Sequence, residues 1–196
     1  MKLSILLAPV MAAALLFAPG AFAAPQLDGK RLTIGADDVQ SYLDGSFPRS
    51  QSALGGLMAL SMSAPKLTLP TGSRLQLGMD VGVSTAGGAP VPLGSVTLSS
   101  ALRYDAQTRG FHLVEPSIED FRAVSGAGQL DSRTRSLLNT FLADYARREP
   151  IYRIDPTIAS VLGTLQVKSV GIENGRIAVQ FNQNLKSLIP SSLLQR

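Results

Sequence analysis

The chain of 196 residues contains no cysteine. It therefore cannot carry a lipid thioether or form a disulfide, although an exported compartment would permit the latter. Its stability must come from the core alone. Histidine occurs once, as His112, which excludes a His-rich metal site, and no Gly-x-Ser-x-Gly elbow supplies a nucleophilic serine to pair with it. Between Phe111 and Leu113 it reads as an ordinary strand histidine rather than a catalytic base. Charge is sparse, at 16% of residues with a net value of +4. The basic residues are scattered as Lys30-Arg31, Arg103, Arg109, Arg133, Arg135 and Arg147-Arg148. A nucleic-acid binder gathers such charge on one helix or face, so no nucleic-acid partner is expected. The mild positive excess fits a surface facing an anionic membrane or simply a solvated surface.

No apolar run reaches the roughly 20 unbroken residues needed to span a bilayer. The longest, Leu3 to Phe17, is broken by Ser4 and Pro9 and followed by Pro19-Gly20. Lys2 in front of it and Ala21-Phe22-Ala23 behind it make residues 1–23 a secretory signal peptide, cleaved between Ala23 and Ala24. Residues 24–196 then have a length suited to one domain with one core, and the expected location is the periplasm.

What the chain has in quantity is alternation. From Arg74 to Ser84, Leu75, Leu77, Met79, Val81 and Val83 take every second position, the signature of a strand with one buried face. Gly78 and Gly82 thin its other face, where glycine often marks a bend. Before it, Met58, Leu60 and Met62 alternate, Leu67 and Leu69 follow, and Pro70-Thr71-Gly72 closes a hairpin. After it, Ala86 to Pro90 is a turn within a Pro/Gly-rich loop at 86–94, Val96, Leu98, Leu102 and Tyr104 share one strand face, and Phe111 to Ile118 is extended. Two helices flank this antiparallel run. Ala36 to Asp44 shows helical spacing with Asp37 and Asp38 at its positive end. From Ser132 to Arg148, Leu137, Leu138, Phe141, Leu142 and Tyr145 form one apolar stripe that must be buried, with Asp131 or Ser132 as the cap and Pro150 as the stop. Thr157 to Leu162 reads as a further short helical turn. Asn174-Gly175 then joins two closing strands as a tight hairpin. The order predicts an α+β fold with an antiparallel sheet.

Other motif matches dissolve in context. Ser63-Ala64-Pro65-Lys66 follows a strand pattern rather than opening a helix, Asp37-Asp38 and Glu119-Asp120 read as a helix start and as strand neighbours facing opposite ways, and Gly126-Ala127-Gly128 lacks the strand-turn-helix setting of a phosphate loop. The expectation is a protein without enzymatic chemistry and without a cofactor.

Leu32-Thr33-Ile34 before a helix, Phe47-Pro48, the helix ending Tyr145-Ala146-Arg147-Arg148-Glu149-Pro150-Ile151-Tyr152, and Val170 to Val179 carry a resemblance over most of the mature chain. It resembles the YceB-like bacterial envelope lipoproteins, a family without assigned function that is similar to the tubular lipid-binding (TULIP) superfamily. The lipobox cysteine of those lipoproteins is absent, so lipid anchoring does not carry over. The resemblance implies a strongly curved antiparallel sheet wrapped around helix 132–148, enclosing an apolar channel. Its expected lining is Leu138, Phe141, Leu142 and Tyr145 from the helix with Leu77, Met79, Val81, Leu98 and Leu102 from the sheet. Two readings remain open. One is a periplasmic binding protein for a lipid or other apolar ligand. The other is an envelope interaction module with a filled core, working through a strand edge or loop 86–94 on a protein partner that no motif names.

Overall fold

A computed structural model describes residues 25–53, 56–85, 88–124, 132–162 and 165–184. The signal-peptide segment 1–23, Gly126-Ala127-Gly128 and the Asp131 cap lie outside the described residues. Along the chain the elements are β1 (Gln26–Asp28), β2 (Arg31–Gly35), α1 (Ala36–Ser46), β3 (Arg49–Ala53), β4 (Met58–Thr68), β5 (Arg74–Thr85), β6 (Val91–Asp105), β7 (Gly110–Ala123), α2 (Ser132–Arg148), β8 (Tyr152–Arg153), α3 (Pro156–Leu162), β9 (Val167–Glu173) and β10 (Arg176–Phe181).

The strands form two antiparallel sheets, β1-β2-β10-β9 and β3-β4-β5-β6-β7-β8. This overturns the expected fold, a single strongly curved sheet wrapped around helix 132–148. Strand dominates, and α2 lies mainly against β7 rather than along the axis of one enclosing sheet. The physical reason lies in pairing. The closing hairpin, joined by Asn174 and Gly175 at φ 50° and 70°, does not extend the long meander. Its second strand instead takes β2 as partner, with Ile177 opposite Ile34 and Val179 opposite Leu32, four apolar side chains with essentially no solvent exposure. The two sheets touch where Gly72 and Ile172 exchange backbone hydrogen bonds of 3.3 and 3.0 Å.

Within the six-stranded sheet the alternation of β5 buries Leu75, Leu77, Met79 and Val81 on one face. Leu77 stands opposite Leu98 and Met79 opposite Val96. Four register shifts interrupt the ladders. In β4 the register shifts between Ser63 and Lys66, with Ala64 at φ 49°. Gln40 of α1 fills this break, its Nε2 donating to Pro65 O at 2.8 Å and its Oε1 accepting from Leu67 N at 2.8 Å. An amide side chain thus replaces a missing strand partner. In β7 Glu115, at φ 49°, marks one of two shifts against β6. The remaining shift inserts Leu93 into β6 between the pairs Val81 with Gly94 and Gly82 with Pro92.

His112 on β7 is fully buried. Its Nδ1 lies 3.2 Å from the Ala146 carbonyl in the last turn of α2, and its Nε2 lies 2.7 Å from Thr108 Oγ1. A carbonyl only accepts, so Nδ1 carries the proton and Nε2 accepts from the hydroxyl. The ring pins the helix end to the sheet. Burial pushes its pKa down, against the hydrogen bond that the ring donates to the Ala146 carbonyl, with Arg103 and Arg153 adding to the fall and Asp105 opposing it. The folded state therefore favours the neutral ring, and the unfolded state gains the proton first as pH falls below about 6.5. Stability should be full above that pH and decline below it, with a limiting slope of about 1.4 kcal/mol per pH unit. Because this is the sole histidine, denaturant titrations of His112→Gln between about pH 5 and 7 should lose that slope; an unchanged slope would show that the ring does not titrate there.

Candidate functional site

The apolar row of β5 runs from Leu75 through Val81 in the core and ends on half-buried Val83, where the sheet and α2 part. Here Met58, Ala59 and Leu60 of β4, Val83 of β5, Leu93 of β6, Gln51 and Ser52 of β3, and Leu137, Thr140 and Phe141 of α2 surround a cleft of about 370 Å³. No charged side chain lines it. That volume lies within the range of small-molecule sites, which are mostly apolar with a few placed polar groups. A larger hollow of about 500 Å³ on the opposite face of the sheet is lined by Ser61, Ser63, Asp80 and Arg122 together with Val81, Pro90, Pro92 and Val124, so charged and apolar groups share its walls.

Each wall has a local cause. The Leu93 bulge turns that side chain out of the plain alternation, as bulges do, and delivers it to the cleft beside Val83. On α2 the i, i+4 pair Leu137 and Phe141 projects from one helix face. Behind Phe141, Tyr145 stacks with centroids 6.4 Å apart, and Phe47 lies 6.2 Å beyond Tyr145. This file of rings fixes the inner end of the cleft. Burial pushes the Tyr145 phenol up to about 12, with Arg49 opposing and Glu149 and Tyr42 adding to the shift. At the polar lip Gln51 Nε2 donates to Asp144 Oδ2 at 3.1 Å, joining β3 to α2. Hydrogen bonds from Arg147 and then Gln51 hold the Asp144 carboxyl below its usual range, so it stays ionised and outside the cleft lining.

Of the nine side chains expected to line a channel, Phe141 alone does so. Leu77, Met79, Val81, Leu98, Leu138, Leu142 and Tyr145 are buried in the core, and Leu102 is partly buried against it. The structure thus brings the chosen rows of β5 and α2 into one core and places the cleft at its end. Met58, Leu60, Val83, Leu93, Leu137 and Thr140 were not among the expected residues. Met58, Leu60, Val83 and Leu137 belonged to recognised apolar patterns, so a signal existed. Leu93 had none, because Pro90, Pro92 and Gly94 around it read as loop. Among the described residues no group of three or more His, Asp or Glu is placed to hold a metal ion, and no helix is long and apolar enough to cross a membrane.

No family model and no curated protein sequence matches the chain, so the YceB-like motifs remain a resemblance. Among solved structures, a crystal structure of a lipopolysaccharide binding protein is similar with a TM-score of 0.28 and 11% identity, over 79% of this chain and 44% of that one. The chain spans less than half the length of that neighbour. A likeness of that size does not define a fold.

Proposed function

We propose that this protein is a non-enzymatic binding protein of the bacterial envelope that holds a lipid acyl chain or another apolar ligand in the cleft between α2 and the six-stranded sheet. The observation that carries the reading is the cleft itself, about 370 Å³ with walls of Met58, Leu60, Val83, Leu93, Leu137 and Phe141 and no charge. Small-molecule sites are mostly apolar clefts of about 300–1,000 Å³, and this opening beside a filled core fits that description. The N-terminal sequence supports export, and the lack of a nucleophile elbow or histidine cluster supports binding without covalent chemistry.

Thr140 gives a clean test, since it lines the cleft and is exposed to solvent. Thr140→Trp should fill the opening and weaken binding of a fluorescent fatty-acid probe about tenfold or more, equivalent to about 1.4 kcal/mol. The thermal midpoint should barely move, because exposed substitutions usually stay within about 0.5 kcal/mol. A wild-type protein that binds no apolar probe, and yields no lipid when extracted from its own compartment, would remove the carrier reading and leave the filled-core interaction module.

A further inference from the structure

The four-stranded sheet carries a hollow of its own, about 490 Å³, lined by Lys30, Arg31, Lys168, Gln180 and Asn182 with Asp28 as its one carboxylate. The end of β10 runs up its middle, and both flanks are tied to that strand. The Phe181 amide donates to the Lys30 carbonyl at 2.9 Å, and the Asn182 amide donates to the Gln166 carbonyl at 3.1 Å. Gln180 stands opposite Arg31 on one side and Ser169 on the other, so the three share a face of the sheet. Lys168 joins them through a bulge. Gln180 pairs with Ser169 but Phe181 pairs with Val167, which leaves Lys168 with no residue opposite. Val167 and Val170 both pack against the core, although plain alternation would send Lys168 inward with Val170 and Val167 outward. The extra residue reverses this: Lys168 lies exposed beside exposed Ser169, re-aimed as bulges re-aim side chains.

We propose that this hollow binds the phosphate group of an organic phosphate ester. Two ammonium groups, a guanidinium and two side-chain amides line one recess, a donor set suited to phosphate oxygens. Arg31 is positioned by Glu173, Nη1 to Oε2 at 2.8 Å, whereas among the described residues neither Lys30 nor Lys168 is ion-paired. Asp28 and Glu173 together offset two of the three cations, so the recess keeps a net positive charge for an anion. A carboxylate presents two acceptor oxygens, while a phosphate ester group presents up to three, enough to meet donors from both flanks of β10. Lysine and a bulge on an edge strand such as β9 also guard against pairing with other chains. A guard, however, needs neither Lys30 on the far side of β10 nor the amide of Gln180 between the two lysines. The site belongs to the other sheet from the apolar cleft and stands independently of the carrier reading.

Two probes separate a soluble source of the phosphate from a lipid headgroup. Glycerol 3-phosphate is titrated into the full chain by calorimetry at low salt, and flotation is measured with vesicles of equal parts phosphatidylglycerol and phosphatidylcholine. Saturable binding of glycerol 3-phosphate with no flotation assigns the site to a soluble ester, and flotation assigns it to a headgroup. In either case Lys30→Gln with Lys168→Gln should weaken the interaction about tenfold at an unchanged thermal midpoint, since both side chains are exposed. Lys66→Gln with Arg153→Gln removes the same charge from exposed positions on the six-stranded sheet and should leave binding within about twofold of the wild type. A wild-type protein that takes up neither probe overturns the proposal. So does a control pair that loses as much as the lysine pair, because the attraction then belongs to net charge and not to the recess. Acetate bound as tightly as glycerol 3-phosphate overturns the assignment to phosphate.

Discussion

Gly94→Ala is expected to lower the unfolding midpoint by roughly 10 °C or more. Gly94 has φ 154°, a backbone state that residues with a side chain rarely adopt. An added Cβ would stand 2.1 Å from the Arg122 carbonyl oxygen and 2.9 Å from the Ala123 Cα, both backbone atoms of β7. Gly94 pairs with Val81 on one side and Ala123 on the other, so neither neighbour can yield without tearing a ladder. Strain and collision together should cost more than about 3 kcal/mol, and a domain of this size loses about 2–4 °C per kcal/mol. Gly78→Ala provides the control, because its nearest neighbour would be 3.9 Å away. Calorimetry on the pair checks the bulge: equal midpoints would mean that the strand relaxes freely at Gly94 and that Leu93 is not fixed by it.

Phe111→Ala should be of similar severity, about 3–5 kcal/mol. The ring is fully buried and lies 5.4 Å from Tyr104 and 6.4 Å from Tyr152 between centroids, with Tyr42 a further 5.8 Å beyond Tyr152. Removing it empties the middle of an aromatic file that joins β6, β7, β8 and α1, and its neighbours cannot collapse without breaking edge contacts elsewhere. Phe111 does not line the cleft. Chemical denaturation should therefore show a large loss of stability while the folded fraction binds the fatty-acid probe with wild-type affinity. A parallel loss of probe affinity would show that cleft and core are one packing unit.

The elements with a long, regular period were legible. Helix 132–148 matches α2 end to end, strand 74–84 matches β5 within a residue, and the Asn174-Gly175 turn stands where its two positive φ values require it. Partner choice was not legible, because nothing in Ile177, Val179 and Phe181 says whether their strand extends the meander or pairs with Leu32 and Ile34. That choice divides one expected sheet into two. The lining of the cleft was not legible for a related reason: a stripe such as Leu138, Leu142 and Tyr145 announces burial, and burial alone does not separate a wall from a filled interior. The decisive wall residue, Leu93, depends on a one-residue bulge amid Pro90, Pro92 and Gly94, where alternation breaks and strand signals fade.

The four-stranded sheet joins the second described strand of the chain to the last, residues 31–35 with residues 176–180, whereas neighbours in the series β3 to β7 follow one another in sequence. Loop closure penalises the former and spares the latter. Synthesis from the N-terminus would accordingly let the meander zip up early, with β1 and β2 waiting for β10 to arrive. During that wait Leu32 and Ile34, wholly hidden at the end, stand on an open strand edge of the kind that invites pairing with other chains. The arrival of Arg176 to Phe181 closes that window, so the time the chain is vulnerable to aggregation is set by its last strand rather than by its largest sheet.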